Sequence, residues 1–319
     1  MTVDEKPFFC AIIGPTAVGK TRLSLDLAET LSAEIVSVDS RQVYRLLDIG
    51  TAKATREERE RVPHHLIDVA EPTERFSASR FVELAEAAIR EIRARGKNVL
   101  LVGGTPFYFR ALLSGTLTAE LPSDPAVRGR LEEALRSEGK EALHLRLRTI
   151  DETTASRIHP NDGVRIVRAL EIYELTGQPP SVAFRERRPL GTQADVLYIG
   201  LTRSREDLRE RIAQRVHDQM KEGFLEEVAS LLAKGIDERY PSMQGLGYRE
   251  LAASIRGKIP LDQAVERIIR ATWAFARRQM TWFAKFEPAV WYDMTRSGDL
   301  FPIGEILGTI AESQRGGRC

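Results

Sequence analysis

Cysteine is nearly missing from this chain: there are two, Cys10 inside an apolar run and Cys319 at the last position. Neither a disulfide framework nor a cysteine-based zinc site can be built from such a pair, so a reducing cytoplasm is the expected setting. Net charge is nearly absent too, with 47 Lys and Arg against 46 Asp and Glu, which leaves +1. Overall charge therefore gives no pull towards nucleic acid or membrane, and any polyanion must be met by a local patch. No apolar run approaches the roughly 18 residues of a membrane helix. The opening MTVDEKPFF, with its early acids, lacks the form of a secretory signal. The five histidines do not organise: His64 and His65 are adjacent, while His144, His159 and His217 are scattered at no metal-ligand or triad spacing. No exposed apolar stripe stands out, so a monomer is expected.

What is present is enough apolar residue, 42% of 319, for one large core and a smaller subdomain. PFFCAIIG reads as a buried strand, and KTRLSLDLAETL follows as a helix with Leu23, Leu27 and Leu31 on one face. AEIVSVDS, HHLIDV and NVLLVGGT read as further strands. Between the last two lies the amphipathic helix FSASRFVELAEAAIREIRARGK, with Phe81, Leu84, Ala85, Ala88, Ile89 and Ile92 at helical spacing and Gly96 as its stop. Strands that are apolar throughout and alternate with helices imply an α/β fold, a parallel sheet flanked by helices like that of the P-loop NTPases. Ligands of such sheets bind at the carboxyl ends of the strands, so GPTAVGKT, DSRQVY and GGTPFY should gather on one rim. From about Leu121 the pattern turns helical, with Asp124 before Pro125 as a helix start and Gly177 after a helix end. The expected organisation is a core domain over 1–120 and 191–319, interrupted by a helical insertion over 121–190. In the later core DVLYIGLTR and AVWYDM read as strands.

The pattern G-x-x-x-x-G-K-[ST] is filled by Gly14, Gly19, Lys20 and Thr21 between a strand and a helix, the context that makes it a phosphate loop. Its glycines let successive N–H groups turn inward, the helix N-terminus adds positive potential, Lys20 a full charge, and Thr21 a hydroxyl for magnesium. The loop recognises a polyphosphate and says little of what is attached to it; ATP is the usual occupant. Asp39, at the end of the second strand, stands across the rim, where a carboxylate can take a proton from a nucleophile, partner a magnesium ion or cap the next segment. Asp68 is the weaker candidate, structural or metal-linked. Along LDQAVERIIRATWAFARRQMTWFAKF, Arg267, Arg270, Arg277, Arg278 and Lys285 fall within an arc of about 100° with no acid inside it, opposite Val265, Ile268, Ile269, Phe275, Trp282, Phe283 and Phe286. A charge run is usually a solvated face, but unpartnered cations also suit a phosphate backbone. Further arginines stand at Arg165, Arg168, Arg185, Arg187 and Arg188, a distribution that fits a structured RNA. Trp273 and Trp282 are assigned to core packing. At this level an ATP-dependent small-molecule kinase and a non-catalytic RNA-binding module both remain open.

Several segments together, GPTAVGKT, DSRQVYRLLDIGTAK, HHLIDV, GGTPFYFRAL, SDPAVRGRLE, HPNDGVRIVRALEIYELTG, LGYREL and ARRQMTWF, resemble the bacterial tRNA dimethylallyltransferases, also called tRNA isopentenyltransferases, in order from about residue 8 to 290. The resemblance implies transfer of a dimethylallyl group from dimethylallyl diphosphate to the exocyclic amine of the adenosine 3′ of the tRNA anticodon, with Mg2+ as cofactor. It implies that the loop, Gly14, Pro15, Thr16, Ala17, Val18, Gly19, Lys20 and Thr21, holds the donor diphosphate. Asp39 would be the proton acceptor in a catalytic set with Lys20 and Thr105. Asp39, Ser40, Arg41 and Gln42 would face the target adenosine, and Thr105 would touch the target nucleotide. Arg128 and the segment Val164, Arg165, Ile166, Val167 and Arg168 would meet tRNA, the insertion clasping the anticodon stem-loop. The segment Gln244, Gly245, Leu246, Gly247, Tyr248 and Arg249 would do the same, as would Ala271, Thr272, Arg277, Arg278 and Gln279. One departure is Gln244, where the family commonly has arginine. The zinc-finger extension of eukaryotic relatives is not seen, so the bacterial form is the better match.

Overall fold

The structure is a computed structural model that describes residues 8–114, 117–118, 121–185, 189–190, 195–295 and 301–316. Arg187, Arg188 and Cys319 lie outside the described residues. The chain divides into two compact units, Met1–Ser114 with Gly191–Cys319, and Gly115–Leu190.

In the first unit the apolar runs become strands and the amphipathic runs become helices: β1 (Phe8–Ile13), α1 (Lys20–Thr30), β2 (Ala33–Ser37), α2 (Arg56–Arg61), β3 (His64–His65), α3 (Ala78–Ala94), β4 (Asn98–Val102) and α4 (Pro106–Ser114). The second unit holds β5 (Leu117–Thr118), α5 (Pro125–Glu138), α6 (Lys140–Ile150), α7 (Glu152–Ala155), α8 (Gly163–Thr176), α9 (Pro180–Arg185) and β6 (Pro189–Leu190). The first unit resumes with β7 (Asp195–Thr202), α10 (Arg205–Lys221), α11 (Phe224–Ala233), α12 (Tyr248–Ile255), α13 (Leu261–Phe283), β8 (Ala289–Asp293) and α14 (Ile303–Gly316).

Six strands form one sheet in the order β3-β2-β4-β1-β7-β8, and every neighbouring pair is parallel, with Ile12 opposite Val102 on one side and Ile199 on the other. Strands buried on both faces need no polar alternation, which is why β1 is apolar throughout. One face packs Cys10, Ile12, Leu100, Ile199 and Leu201 against Leu23 and Leu27 of α1 and Ile306 and Ile310 of α14. On the other face the aromatics meet edge to face, Tyr198 with Phe286 at 5.1 Å and Phe109 with Phe283 at 6.1 Å. Removing one leucine from such a layer costs about 2–5 kcal/mol.

One strand expectation needs correction. HHLIDV forms a strand only at His64–His65, because Leu66 and Asp68 take φ of 65° and 57°, left-handed values that cannot continue an extended strand. The helix α2 just before it carries no apolar periodicity; its signal is the capping box of Thr55 and Glu58.

The second unit is a helical layer of its own. Asp124 caps α5 by accepting from the Ala126 and Val127 amides, and Gly177 ends α8 at φ 69°. Leu131, Leu143, Leu147, Ile166 and Leu170 form its core.

Candidate active site

Because β2, β4 and β1 are adjacent and parallel, the segments that follow them leave the sheet at the same edge. They line one cavity of about 720 Å3, with Thr16 to Thr21, Asp39 to Gln42 and Gly103 to Thr105 in its wall. The approach is close: a Cβ at Gly103 would sit 2.1 Å from the Val38 carbonyl oxygen, so only glycine lets the segments after β2 and β4 touch.

The phosphate loop is held by its carbonyls. The Lys20 ammonium donates to the Gly14 and Pro15 oxygens at 2.9 and 2.7 Å. Arg211 donates to Ala17 O and Arg203 to Val18 O, each at 3.1 Å. Fixing these carbonyls against cations leaves the N–H groups from Ala17 to Thr21 for an anion. Gly14, at φ 142°, has its missing Cβ 2.6 Å from Leu201 O, so the loop starts where no side chain fits. Helix α1 begins at Lys20 with no capping side chain and no acid in its first turn, which leaves its N-terminal N–H groups to a ligand.

Across the cavity, Asp39 Oδ1 accepts from the Arg41 and Gln42 amides at 2.7 and 3.3 Å, and its Oδ2 has no partner among the described residues. Thr105 Oγ1 accepts from the Ser40 amide at 3.1 Å, which ties the wall after β4 to the residue beside Asp39. Gln42 is committed internally: its amide donates to Ala52 O at 3.0 Å and accepts from Ser37 Oγ at 3.0 Å. Arg41 donates to Pro241 O at 2.7 Å.

A second basic group, which sequence reasoning missed, completes the cavity. Arg215 of α10 lines it, one turn beyond Arg211, and has no hydrogen-bond partner among the described residues. Burial lowers its pKa, and Asp39 is the first charge that opposes the shift. The same enclosure, and next the Arg215 charge, push the Lys20 ammonium from 10.5 down to about 7, against the pull of Asp39. Two enclosed cations, each with its shift opposed by the Asp39 carboxylate, are the electrostatic form of an anion site. The spacing of Arg211 and Arg215 on one helix was the available signal, but nothing local says that this helix lies over the loop.

The expected RNA residues divide. In the second unit Val164 is 83% exposed and Arg165 is exposed, whereas Ile166 and Val167 are core residues at 0% and 4%. A helix can turn only one side outward, so the side chains of those two face the core and not the solvent. Arg128 and Arg168 both pair with the fully buried Glu171, at 2.7 and 2.8 Å. Arg168 also donates to the Leu121 and Pro122 carbonyls. These arginines satisfy an internal carboxylate first. In the first unit Gln244 and Arg249 are exposed and Leu246 half-buried, but Gly245 and Gly247 are buried and Tyr248 is 1% exposed with its hydroxyl donating to Glu227. Thr272 lines the cavity and Ala271 is half-buried.

On α13, Arg270 pairs with Glu266, which flanks the basic arc, at 2.6 Å, so this cation of the stripe has a partner after all; Arg267 donates to Gln263. Arg277, Arg278 and Lys285 are exposed and unpaired among the described residues. Gln279 points the other way and is 4% exposed. Trp282, assigned from sequence to the core, is 38% exposed with Arg110 6.0 Å from its ring centre. Trp273 packs beside Leu208 and Ile212 as expected. Asp68 is structural: it accepts from Lys53 at 2.6 Å and Arg59 at 2.9 Å.

A cavity with an anion cradle at one wall and an unengaged carboxylate oxygen at the other suits a reaction in which a phosphorylated group leaves while a nucleophile loses a proton. The class is therefore a phosphate-loop transferase. The family model for IPP transferase matches residues 42–286. The chain is 46% identical over 311 residues to the tRNA dimethylallyltransferase of Geobacter metallireducens, covering 97% of this chain and 98% of that one. It is 47% identical over 292 residues to that of Symbiobacterium thermophilum, covering 89% and 88%. Among solved structures, the full-length tRNA isopentenylpyrophosphate transferase of Bacillus halodurans aligns with TM-score 0.72 at 40% identity, over 98% of both chains. A eukaryotic dimethylallyltransferase acting on tRNA aligns with TM-score 0.77 at 28% identity, over 95% of this chain and 77% of that one. The chain belongs to the IPP transferase family, the tRNA dimethylallyltransferases, and is a tRNA-modifying prenyltransferase. Neither the kinase nor the non-catalytic module survives that membership.

Proposed function

We propose that this chain transfers the dimethylallyl group of dimethylallyl diphosphate to N6 of the adenosine 3′-adjacent to the anticodon, with the phosphate loop as the cradle of the leaving group. The observation that carries this reading is the pairing of Lys20 and Arg215 over a loop whose carbonyls are tied back, opposite the free oxygen of Asp39. As the donor C1–O bond breaks, its electron pair goes to the diphosphate, and the Ala17 to Thr21 amides, Lys20 and Arg215 stabilise that charge. N6 attacks C1, and its proton passes to Asp39. The adenine lone pair is delocalised into the ring, so the amine gains most from a base as the N–C bond forms. Thr105 supports the base through Ser40, and the target adenosine leaves its stack to enter the cavity.

Magnesium fits the residues present. The Thr21 hydroxyl is exposed towards the cavity and takes no hydrogen bond among the described residues. No group of three or more His, Cys, Asp or Glu among them could hold a metal alone. The ion would share its coordination between Thr21, diphosphate oxygens and water, the habit of magnesium. When bound it supplies neutralising charge to the departing diphosphate.

The helical unit, with Val164 and Arg165 outward, and the exposed Arg277, Arg278 and Lys285 are assigned to the anticodon stem-loop. A monomer is the state we assign, and the cytoplasm, where tRNA is modified, is the compartment. No helix among the described residues is long and apolar enough to cross a membrane.

The test is transfer of label from dimethylallyl diphosphate to an anticodon stem-loop RNA in the presence of magnesium. One diphosphate released per labelled adenosine is expected. RNA retention without turnover, or ADP release with a small acceptor, contradicts the reading.

Two further results are expected. Replacing Arg277 and Arg278 together by alanine should weaken stem-loop binding and reduce its salt dependence by roughly 1.5 to 2 ion-release units, measured across a salt series. An unchanged slope would make these cations a solvated face. The second concerns Lys20, whose pKa falls to about 7 in the folded protein against 10.5 for the ordinary side chain. Between those values the unfolded chain holds the proton and the folded chain does not, so this group adds stability as pH rises through that window. Anion binding needs the charged form, so affinity for inorganic diphosphate should weaken from pH 7 to 9 beyond the ligand's own titration. Lys20→Arg should remove that excess; the same slope in both proteins would contradict the assignment.

A further inference from the structure

We infer that Gln279 is a positioning residue that sets the distance between the leaving-group cradle and the wall that carries the base. Its side-chain amide lies between two loops that follow neighbouring strands. Gln279 Oε1 accepts from the Thr16 amide of the phosphate loop at 2.9 Å, and Gln279 Nε2 donates to Gly104 O at 2.6 Å. Gly104 precedes Thr105, whose hydroxyl holds the Ser40 amide at 3.1 Å, next to Asp39. One side chain therefore links the two halves of the reaction.

The fit is mutual. A Cβ at Gly104 would stand 2.7 Å from Gln279 Nε2, so the glycine makes room for the amide. Only an amide of this length supplies a donor and an acceptor at opposite ends. A carboxylate could still accept from Thr16, but would face the Gly104 carbonyl with no proton to give and would bring negative charge to the anion site. A thioether of the same length would make neither bond. The neighbouring Arg277 and Arg278 are exposed while Gln279 is 4% exposed, so this helix turns charge outward and its amide inward. A residue that is buried with both amide ends engaged contacts no RNA, although its sequence neighbours are the expected RNA residues.

The inference rests on the proposed function, and its test separates the two. Gln279→Met, Gln279→Asn and Gln279→Glu are compared with the parent chain in single-turnover transfer to a stem-loop RNA, with RNA affinity measured separately and Asp39→Asn as a control. Misplacement of reacting groups by about 1 Å costs up to roughly 100-fold. Gln279→Met and Gln279→Asn should therefore lose roughly 10- to 100-fold in the rate of the transfer step at saturating RNA, with RNA affinity within about twofold of the parent. Gln279→Glu should in addition raise the donor KM, because it brings charge to the cradle. If Gln279 is instead an RNA contact, RNA affinity falls while the rate at saturation is kept, and the inference is overturned. An unchanged protein by both measures overturns it equally. Should Gln279→Met fail to fold, Gln279→Glu, which retains the volume and the bond to Thr16, decides by the same split. No transfer by the parent chain would bring down the proposed function itself, and full activity in Asp39→Asn would remove its base, each independently of Gln279.

Discussion

Asp39→Asn is expected to slow the transfer step by roughly two to four decades, the range of a positioned general base, while stem-loop affinity stays within about twofold. The substitution isolates charge and basicity. An asparagine can keep its Oδ1 on the Arg41 and Gln42 amides, the contacts that shape this turn, so the loop after β2 survives. What is lost is the second oxygen, which has no partner among the described residues and faces the cavity. Single-turnover measurement with saturating RNA and donor reads the chemical step alone. A rate within about threefold of the parent would remove Asp39 from proton transfer and leave it as a turn residue.

Arg215→Ala is the second large effect. The guanidinium makes no hydrogen bond to protein among the described residues, yet it lies close enough to Lys20 to lower its pKa. Removal therefore breaks no internal bond and relieves repulsion between two enclosed cations. Thermal stability should be unchanged or slightly higher. The rate should fall by roughly 10²- to 10³-fold in kcat/KM for the donor, the usual result of removing one preorganised group that stabilises developing charge. Lys20 should become easier to protonate in the variant. A large loss of stability, or transfer unimpaired at low donor concentration, would show that Arg215 is part of the scaffold and not of the cradle. Lys20 itself is a poorer probe, because its bonds to Gly14 O and Pro15 O also hold the loop in shape.

The parts of this site that are local in sequence were legible there. The loop from Gly14 to Thr21 declares itself by spacing, and a parallel sheet requires the segments after β1, β2 and β4 to meet at one edge. The parts that depend on distant packing were not. Arg211 and Arg215 act because α10 lies over a loop nearly 200 positions earlier, and Gln279 because α13 passes between two walls. Arg128 and Arg168 were expected to meet tRNA, but both pair with the buried Glu171, which stands one turn beyond Arg168 and could have raised the question. Ile166 and Val167 were grouped with an RNA-binding segment, although with Leu170 they stand at a helical spacing that suits a core face. The short β3 reflects left-handed backbone at Leu66 and Asp68, which apolar character alone does not reveal. Trp282 shows the limit of a polarity pattern: its place on the apolar side of α13 did not decide whether another element covers it.

Transfer depends most on the relative placement of leaving group and base. The direct measurement is a crystal structure of this chain with an unreactive analogue of dimethylallyl diphosphate and an anticodon stem-loop RNA. The predicted result is a diphosphate held by the Ala17 to Thr21 amides, Lys20 and Arg215, with the adenine N6 within hydrogen-bond distance of the Asp39 carboxylate. A diphosphate bound away from the loop, or an adenine amine out of reach of Asp39 with the donor in place, would contradict it.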